Sequence, residues 1–264
     1  MLKGSSKYDT EYHPEHIKSG MHINWGPTSA ILYTFFLFFG GQFLAGLVFG
    51  ILAVIFGFSQ GLIEGGPNIA AQFYFVLISD AIMLSALWLF LRVRQNGFRQ
   101  LGFRRGPQWA DVTYAVIGYL VYFGLLIIVL SIIGPLTGIN LEQEQELGFD
   151  NLLSTAEKVM GLIALALLPP VVEELIFRGF LFGGLRTKMM FAWAAYITSL
   201  LFAVPHLFAS SEGLLWVAGV DTFILSVILC YLREKTGALW APMAVHAIKN
   251  AIAYTILLTG VAAA

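Results

Sequence analysis

Seven long apolar runs dominate this sequence and restrict the folds open to it. A bilayer core about 30 Å thick is crossed by a helix of about 20 apolar residues, and helices satisfy their own backbone polar groups there. The runs predict spans at 30–58, 70–91, 111–136, 156–184, 189–208, 214–232 and 238–258. An eighth helix is an alternative, hidden in the first run or in the linker near Asn140. The predicted fold class is an all-α polytopic membrane protein, a bundle of about seven transmembrane helices.

Composition points the same way. Hydrophobic residues make up 58% of the chain and charged residues only 12%, whereas soluble domains carry about a quarter charged residues. A water-soluble protein is therefore excluded. The net charge is −1 and the basic residues stand in short linkers, so we expect the bilayer as a partner and no nucleic acid.

The polar segments predict domain limits and orientation. Residues 1–29 are polar, carry both signs of charge and lack the apolar core of a cleavable signal. We expect a cytoplasmic tail over 1–29, one transmembrane domain over 30–258 and a short tail over 259–264. Basic residues collect on the cytoplasmic side, and Arg92, Arg94, Arg99, Arg104 and Arg105 share one linker. This predicts a multi-pass protein of the cell (inner) membrane with its N-terminus inside.

The fourth predicted span contains charges, which cost about 2.5 to 3.5 kcal/mol each at bilayer depth on insertion scales. It reads Glu173-Glu174-Leu-Ile-Phe-Arg178. Glu174 and Arg178 are four residues apart, so they share a helix face and can pair. Glu173 points about 100° away and is the freer carboxylate, suited to act as a general base. Spacing alone leaves Glu174 open as the base.

Two further polar motifs lie in later spans, Phe202-Ala-Val-Pro-His206 and His246-Ala-Ile-Lys-Asn250. A lone membrane histidine usually donates a hydrogen bond between helices. The full set, however, meets the requirements for hydrolysis: a group that activates water and groups that stabilise an oxyanion. Prolines near each motif free backbone carbonyls and could open a cavity; they are Pro169, Pro170, Pro205 and Pro242. At 1.5 Å per residue, His206 is expected roughly 9 Å deeper than Glu173.

In this order the three motifs resemble the CPBP intramembrane proteases, glutamate proteases that include CAAX prenyl endopeptidases and bacterial relatives linked to bacteriocin processing and self-immunity. The family pattern is Glu-Glu-x-x-x-Arg, then Phe-x-x-x-His, then His-x-x-x-Asn or Asp. The resemblance covers roughly residues 156–255. It implies an intramembrane endopeptidase that needs no cofactor, with a prenylated protein or a leader peptide among its candidate substrates.

The resemblance also implies roles for individual residues. Glu173 and His206 would activate water, while His246 and Asn250 would form the oxyanion hole. The other motif residues would support the site: Glu174 and Arg178 by orienting it, Phe202 as a packing wall.

Other interpretations remain open at this point. Glutamate and histidines can bind zinc, although no His-Glu-x-x-His motif is present. In a non-catalytic scaffold, chaperone or immunity protein, the motifs would form a buried polar cluster with a structural role. A proton-coupled carrier would use Asp80, Asp221 and the glutamates, but the sequence lacks the repeat symmetry of such carriers. We favour structural roles for Asp80 and Asp221. The role of Lys249 is open, and Cys230 is not expected to be a nucleophile.

Overall fold

The computed structural model describes residues 23–56, 69–141, 143, 152, 154–210 and 213–259, and within these ranges the regular structure is helical. Its apolar helices are α1 Pro27–Ile55, α2 Ile69–Val93, α3 Trp109–Thr137, α4 Thr155–Arg186, α5 Phe191–Leu207, α6 Trp216–Thr236 and α7 Trp240–Thr259. Six are long and apolar enough to cross a membrane, and α5 has 17 residues, about 26 Å of helix. The predicted all-α polytopic membrane protein is confirmed.

The predicted spans match these helices to within a few residues. The first run is one continuous helix with a π-helical turn at Phe36–Gly40, so it hides no second span. Residues 142 and 144–151, where an eighth helix was considered, lie outside the described residues, as does 1–22 of the predicted polar tail. The domain limits therefore stay predictions.

The outer surface of the bundle is apolar. Large side chains that a soluble protein would bury are open on α1 and α3, such as Phe43 at 77% exposure and Leu120 at 62%. An extensive apolar surface of this kind marks contact with lipid or another apolar partner. The spaces between helices are filled by residues such as Leu87, Phe180 and Leu185, which are fully buried.

Helix α4 is the centre of the bundle. It contacts α1, α2, α5, α6 and α7, and it is the most buried of the membrane-crossing helices. Two π-helical turns, Leu162–Leu167 and Glu174–Leu181, interrupt its α-helical geometry. Such turns change the direction in which the following side chains point, and they are frequent at functional sites. The adjacent glutamates of the first motif lie at the start of the second π-helical turn.

Two ion pairs join the basic linkers at one end of the bundle. Arg105 binds both carboxylate oxygens of Asp111, at 2.6 and 2.7 Å. Arg186 binds both carboxylate oxygens of Glu234, at 3.0 and 2.6 Å. Trp240 donates from Nε1 to the carbonyl of Arg105. The linkers after α2, α4 and α6 therefore lie at the same end, and the membrane side that this end faces stays a prediction.

Candidate active site

The two adjacent glutamates of α4 have different surroundings. Glu174 is fully buried, and its Oε1 accepts a hydrogen bond from Arg178 Nη1 at 2.9 Å and lies 3.0 Å from His246 Nδ1. The Glu173 side chain keeps 22% exposure, and its Oε2 lies 3.7 Å from His246 Nε2. Glu173 is thus the carboxylate with access to open space, while Glu174 is held between two partners.

A cavity of about 200 Å³ opens between α4, α5, α6 and α7. Five residues of the three sequence motifs line it: Glu173, Phe202, His206, His246 and Asn250. Glu174 and Arg178 lie behind this wall, fully buried. The structure therefore brings the four candidate catalytic residues to one cavity from three helices.

His206 has a fixed ring orientation. Its Nδ1 lies 2.9 Å from the carbonyl oxygen of Phe202, one turn earlier in α5. A carbonyl oxygen only accepts, so Nδ1 carries the proton of the neutral ring and Nε2 carries the lone pair. His206 therefore has an acceptor nitrogen free for chemistry.

His246 is oriented by a carboxylate. Its Nδ1 faces Glu174 Oε1, and the ring is only 3% exposed. An ionised carboxylate accepts, so Nδ1 donates, and Nε2 is the nitrogen that faces Glu173. Because Nδ1 already donates, an N–H at Nε2 requires the doubly protonated ring. A buried carboxylate of this kind fixes both the tautomer and the ring direction of a catalytic histidine.

Asn250 fills a gap in the backbone hydrogen bonding of α4. Its Nδ2 donates to the carbonyl of Leu165 at 3.0 Å. The residues four and five positions after Leu165 are Pro169 and Pro170, which have no N–H to give in either α- or π-helical pairing. One amide hydrogen of Asn250 thus replaces the missing backbone donor, and the second hydrogen remains for the cavity.

Phe202 is the packing centre of the site. The Arg178 guanidinium lies 4.3 Å from the centroid of its ring, a distance typical of a cation–π contact. The rings of His206 and His246 lie 5.1 and 5.9 Å away, the second at 90°. Phe177 closes the remaining edge at 4.9 Å. Phe202 therefore sets the positions of both histidines and covers the buried charge pair.

The sequence motifs missed part of the lining. Thr222 and Tyr254 also face the cavity. Tyr254 follows His246 and Asn250 at four-residue spacing, a pattern that places all three on one face of α7. That spacing could have identified it, whereas Thr222 has no such signal.

Lys249, whose role was open, also lines the cavity. Its Nζ lies 3.2 Å from Asp221 Oδ2, and Tyr122 donates from its hydroxyl to the same carboxylate. Asp221 therefore belongs to a polar network that joins α3, α6 and α7, and the structural role expected for it stays a prediction. Among the described residues, no group of three or more histidine, cysteine or acidic side chains is arranged to hold a metal ion.

Comparison with known proteins places this cavity in a family context. Residues 155–252, which form most of α4 through α7, match the family model "Type II CAAX prenyl endopeptidase Rce1-like". The resemblance to the CPBP family is thereby confirmed. This CPBP-like core contains all three motifs and all or most of each helix that lines the cavity.

Two curated proteins are similar to the chain. "Putative membrane peptidase YdiL" of Bacillus subtilis (strain 168) is 25% identical over 195 residues, which is 74% of this chain and 76% of that protein. "Uncharacterized 24.3 kDa protein" of Escherichia coli is 30% identical over 97 residues, 35% of this chain and 42% of that protein. No solved structure matches. The similarity to the B. subtilis protein extends well beyond the CPBP-like core.

Proposed function

We propose that this protein is an intramembrane endopeptidase that hydrolyses a peptide bond at or in the membrane, with water activated by Glu173 and His206. One observation carries the proposal: Glu173 is the accessible carboxylate of its pair, and it shares a cavity with His206, His246 and Asn250. A base, an acceptor and two donors facing one cavity are the parts that peptide hydrolysis needs.

The water molecule would be activated between Glu173 and Nε2 of His206. Glu173 takes a proton as the water oxygen attacks the scissile carbonyl carbon, which gives a tetrahedral intermediate. The same carboxyl group then returns the proton to the leaving amine, so acid and base roles belong to one residue in turn. General acid–base catalysis of this kind contributes about 10²- to 10⁴-fold.

The negative oxygen of the intermediate would be stabilised by Asn250 and His246. Asn250 donates the amide hydrogen that Leu165 does not use. His246 donates from Nε2 in its doubly protonated form, with Glu174 on the opposite nitrogen. Each donor of an oxyanion hole is worth about 10²- to 10³-fold in rate. Glu174, Arg178 and Phe202 are positioning residues in this scheme.

The location of the cavity supports a proposal for the substrate class. A site formed by membrane-crossing helices takes a peptide segment that enters from the bilayer or its edge, such as a prenylated C-terminus or a leader peptide. We place the protein in the cytoplasmic membrane with its N-terminus inside, from the distribution of basic linkers.

The test begins with finding a substrate. Membranes from cells with and without the gene are compared by mass spectrometry of protein termini, and a terminus that depends on the gene gives a peptide assay. Glu173→Ala, His206→Ala and His246→Ala should each abolish its formation while the proteins still elute as folded species in detergent. The matched control is Cys230→Ala, a change at a buried residue outside the cavity, which should retain cleavage.

Two results would contradict the proposal. Cleavage at wild-type rate in all three cavity variants would overturn the proposal. A biological phenotype that survives Glu173→Ala would favour a non-catalytic scaffold or immunity protein, in which the motifs serve only as a buried polar cluster.

A further inference from the structure

A second cavity lies against the first. It has a volume of about 160 Å³ and is formed by α1, α2 and α4. Glu173 and Pro169 line both cavities, so the second cavity borders the proposed catalytic carboxylate. A side chain next to a peptide bond at Glu173 would therefore have this second space within reach.

Two polar atoms in the lining of the second cavity are unpaired. Asp80 Oδ2 and Ser79 Oγ are buried and have no hydrogen-bond partner among the described residues. Ser79 is only 2% exposed, so water outside the bundle does not reach it. Buried polar groups are nearly always hydrogen-bonded, and each exception requires an explanation. Since Asp80 offers acceptor oxygens, the missing partner is a hydrogen-bond donor.

The charge of the cavity is one-sided. Asp80 and Glu173 both line it, and among the described residues no lysine or arginine does. Two carboxylates in a space of low dielectric constant attract a cation far more strongly than they would in water. Asp80 differs in this respect from Asp221, which has Lys249 at 3.2 Å.

The shape of the cavity adds a further constraint. Apolar side chains form much of its wall, including Phe38, Phe75 and Met83. The polar groups belong to Gln42, Ser79, Asp80 and Glu173. A lysine side chain likewise has an apolar part and a polar part: its aliphatic stem packs on apolar surface and its ammonium group binds polar partners. At about 30 Å³ per water molecule the volume equals some five waters, enough space for such a side chain.

We propose that this second cavity, the Asp80 cavity, is a specificity subsite that binds a basic side chain of the substrate beside the scissile bond, with Asp80 as its counter-ion. This inference rests on the proposed endopeptidase function. Ser79 accepts a second hydrogen bond from the bound ammonium group, and the apolar wall packs on its stem. The preferred substrate therefore carries lysine or arginine next to the cleaved bond.

The experiment compares matched peptides cleaved by the full-length protein in proteoliposomes. The peptides derive from the terminus found above and carry either lysine or norleucine at one flanking position at a time. Norleucine keeps the four-carbon stem and lacks the ammonium group. For the wild type, kcat/KM should favour lysine at one flanking position by about tenfold or more, and Asp80→Asn should bring that ratio close to one. Taking the ratio within each variant removes any general loss of activity.

Two further variants sharpen the result. Asp221→Asn removes a membrane acid that already has a partner, so the lysine-to-norleucine ratio should stay at its wild-type value. Ser79→Val fills part of the cavity with apolar atoms, so the ratio should fall even if Asp80→Asn does not fold.

Each outcome decides the proposal. Equal cleavage of both peptides by the wild type at every flanking position overturns the subsite and leaves the endopeptidase intact. A uniform loss for both peptides in Asp80→Asn, with the ratio kept, overturns the subsite and makes Asp80 a support for Glu173. Failure of the wild type to cleave either peptide or the native terminus overturns both proposals together.

Discussion

The side-chain amide of Asn250 donates a hydrogen bond to the carbonyl of Leu165, 3.0 Å away and in a different helix. The proline pair Pro169 and Pro170 leaves this carbonyl without a backbone donor. One residue therefore closes a break in α4 and also faces the cavity in which Glu173 lies. Structural support and proposed catalysis are joined at Asn250, and they can be separated experimentally.

Asn250→Ala should lower the free energy of unfolding by about 1 kcal/mol, because it removes the hydrogen bond that the partly buried carbonyl of Leu165 accepts. Adding Pro169→Ala should recover much of that loss, since residue 169 then has an N–H for Leu165. Unfolding in detergent measures both, with Pro169→Ala alone as the control. Cleavage should stay low in the double variant, because the proposed oxyanion donor is still missing. Equal stability of Asn250→Ala and the wild type would contradict this account.

The two glutamates of α4 should differ in their contribution to stability. Glu174→Gln leaves the fully buried Arg178 without its counter-ion, and breaking a buried ion pair costs about 3 to 5 kcal/mol. The isosteric Glu173→Gln leaves no buried charge unpaired and should change stability by less than about 1 kcal/mol. Thermal unfolding of the two variants in one detergent gives the comparison. A similar loss for both would mean that Glu173 is as deeply tied into the fold as Glu174.

Lys249 and Asp221 should behave as an interacting pair. Their side chains are 23% and 19% exposed, so the interaction is partly shielded from water and stronger than a surface ion pair. A double-mutant cycle with Lys249→Met and Asp221→Asn should give a coupling energy of about 1 kcal/mol. Strict additivity of the two single changes would show that the contact does not contribute to stability.

Water activation by Glu173 and His206 predicts that metal removal leaves the rate unchanged. Cleavage after dialysis against a strong chelator should equal cleavage in untreated protein, with a zinc protease in the same buffer as the control for chelation. Loss of cleavage that added zinc restores would instead support the zinc-dependent alternative, in which histidine and carboxylate side chains hold the metal.

The sequence was sufficient for the fold class and for the motif residues that line the cavity, but not for Thr222 or Tyr254. Apolar runs of membrane length define spans without any knowledge of tertiary contacts, and charged residues inside them identify the faces that avoid lipid. The expected depth difference of roughly 9 Å between Glu173 and His206 arose from span boundaries. Helix α4 continues to Arg186 and α5 begins at Phe191, which reduces the difference to about 3 Å.

Contacts between side chains on different helices could not be predicted from local sequence patterns. Glu174 was paired with Arg178 from helical spacing, yet its contact with His246 joins positions 72 residues apart. The hydrogen bond between Asn250 and Leu165 joins positions 85 residues apart. The prolines predict that a backbone carbonyl lacks its helical donor, but they do not predict which side chain donates to it. Such contacts depend on how the helices pack. The catalytic roles of the site residues remain predictions.

The most direct test of the central claim is single-turnover cleavage by Glu173→Gln in proteoliposomes. The change keeps the size of the side chain and removes its ability to accept the proton of water. We expect the cleavage rate to fall by about 10²-fold or more while the melting temperature stays at the wild-type value. Cleavage by the folded variant within a few-fold of the wild-type rate would contradict the assignment of Glu173 as the base.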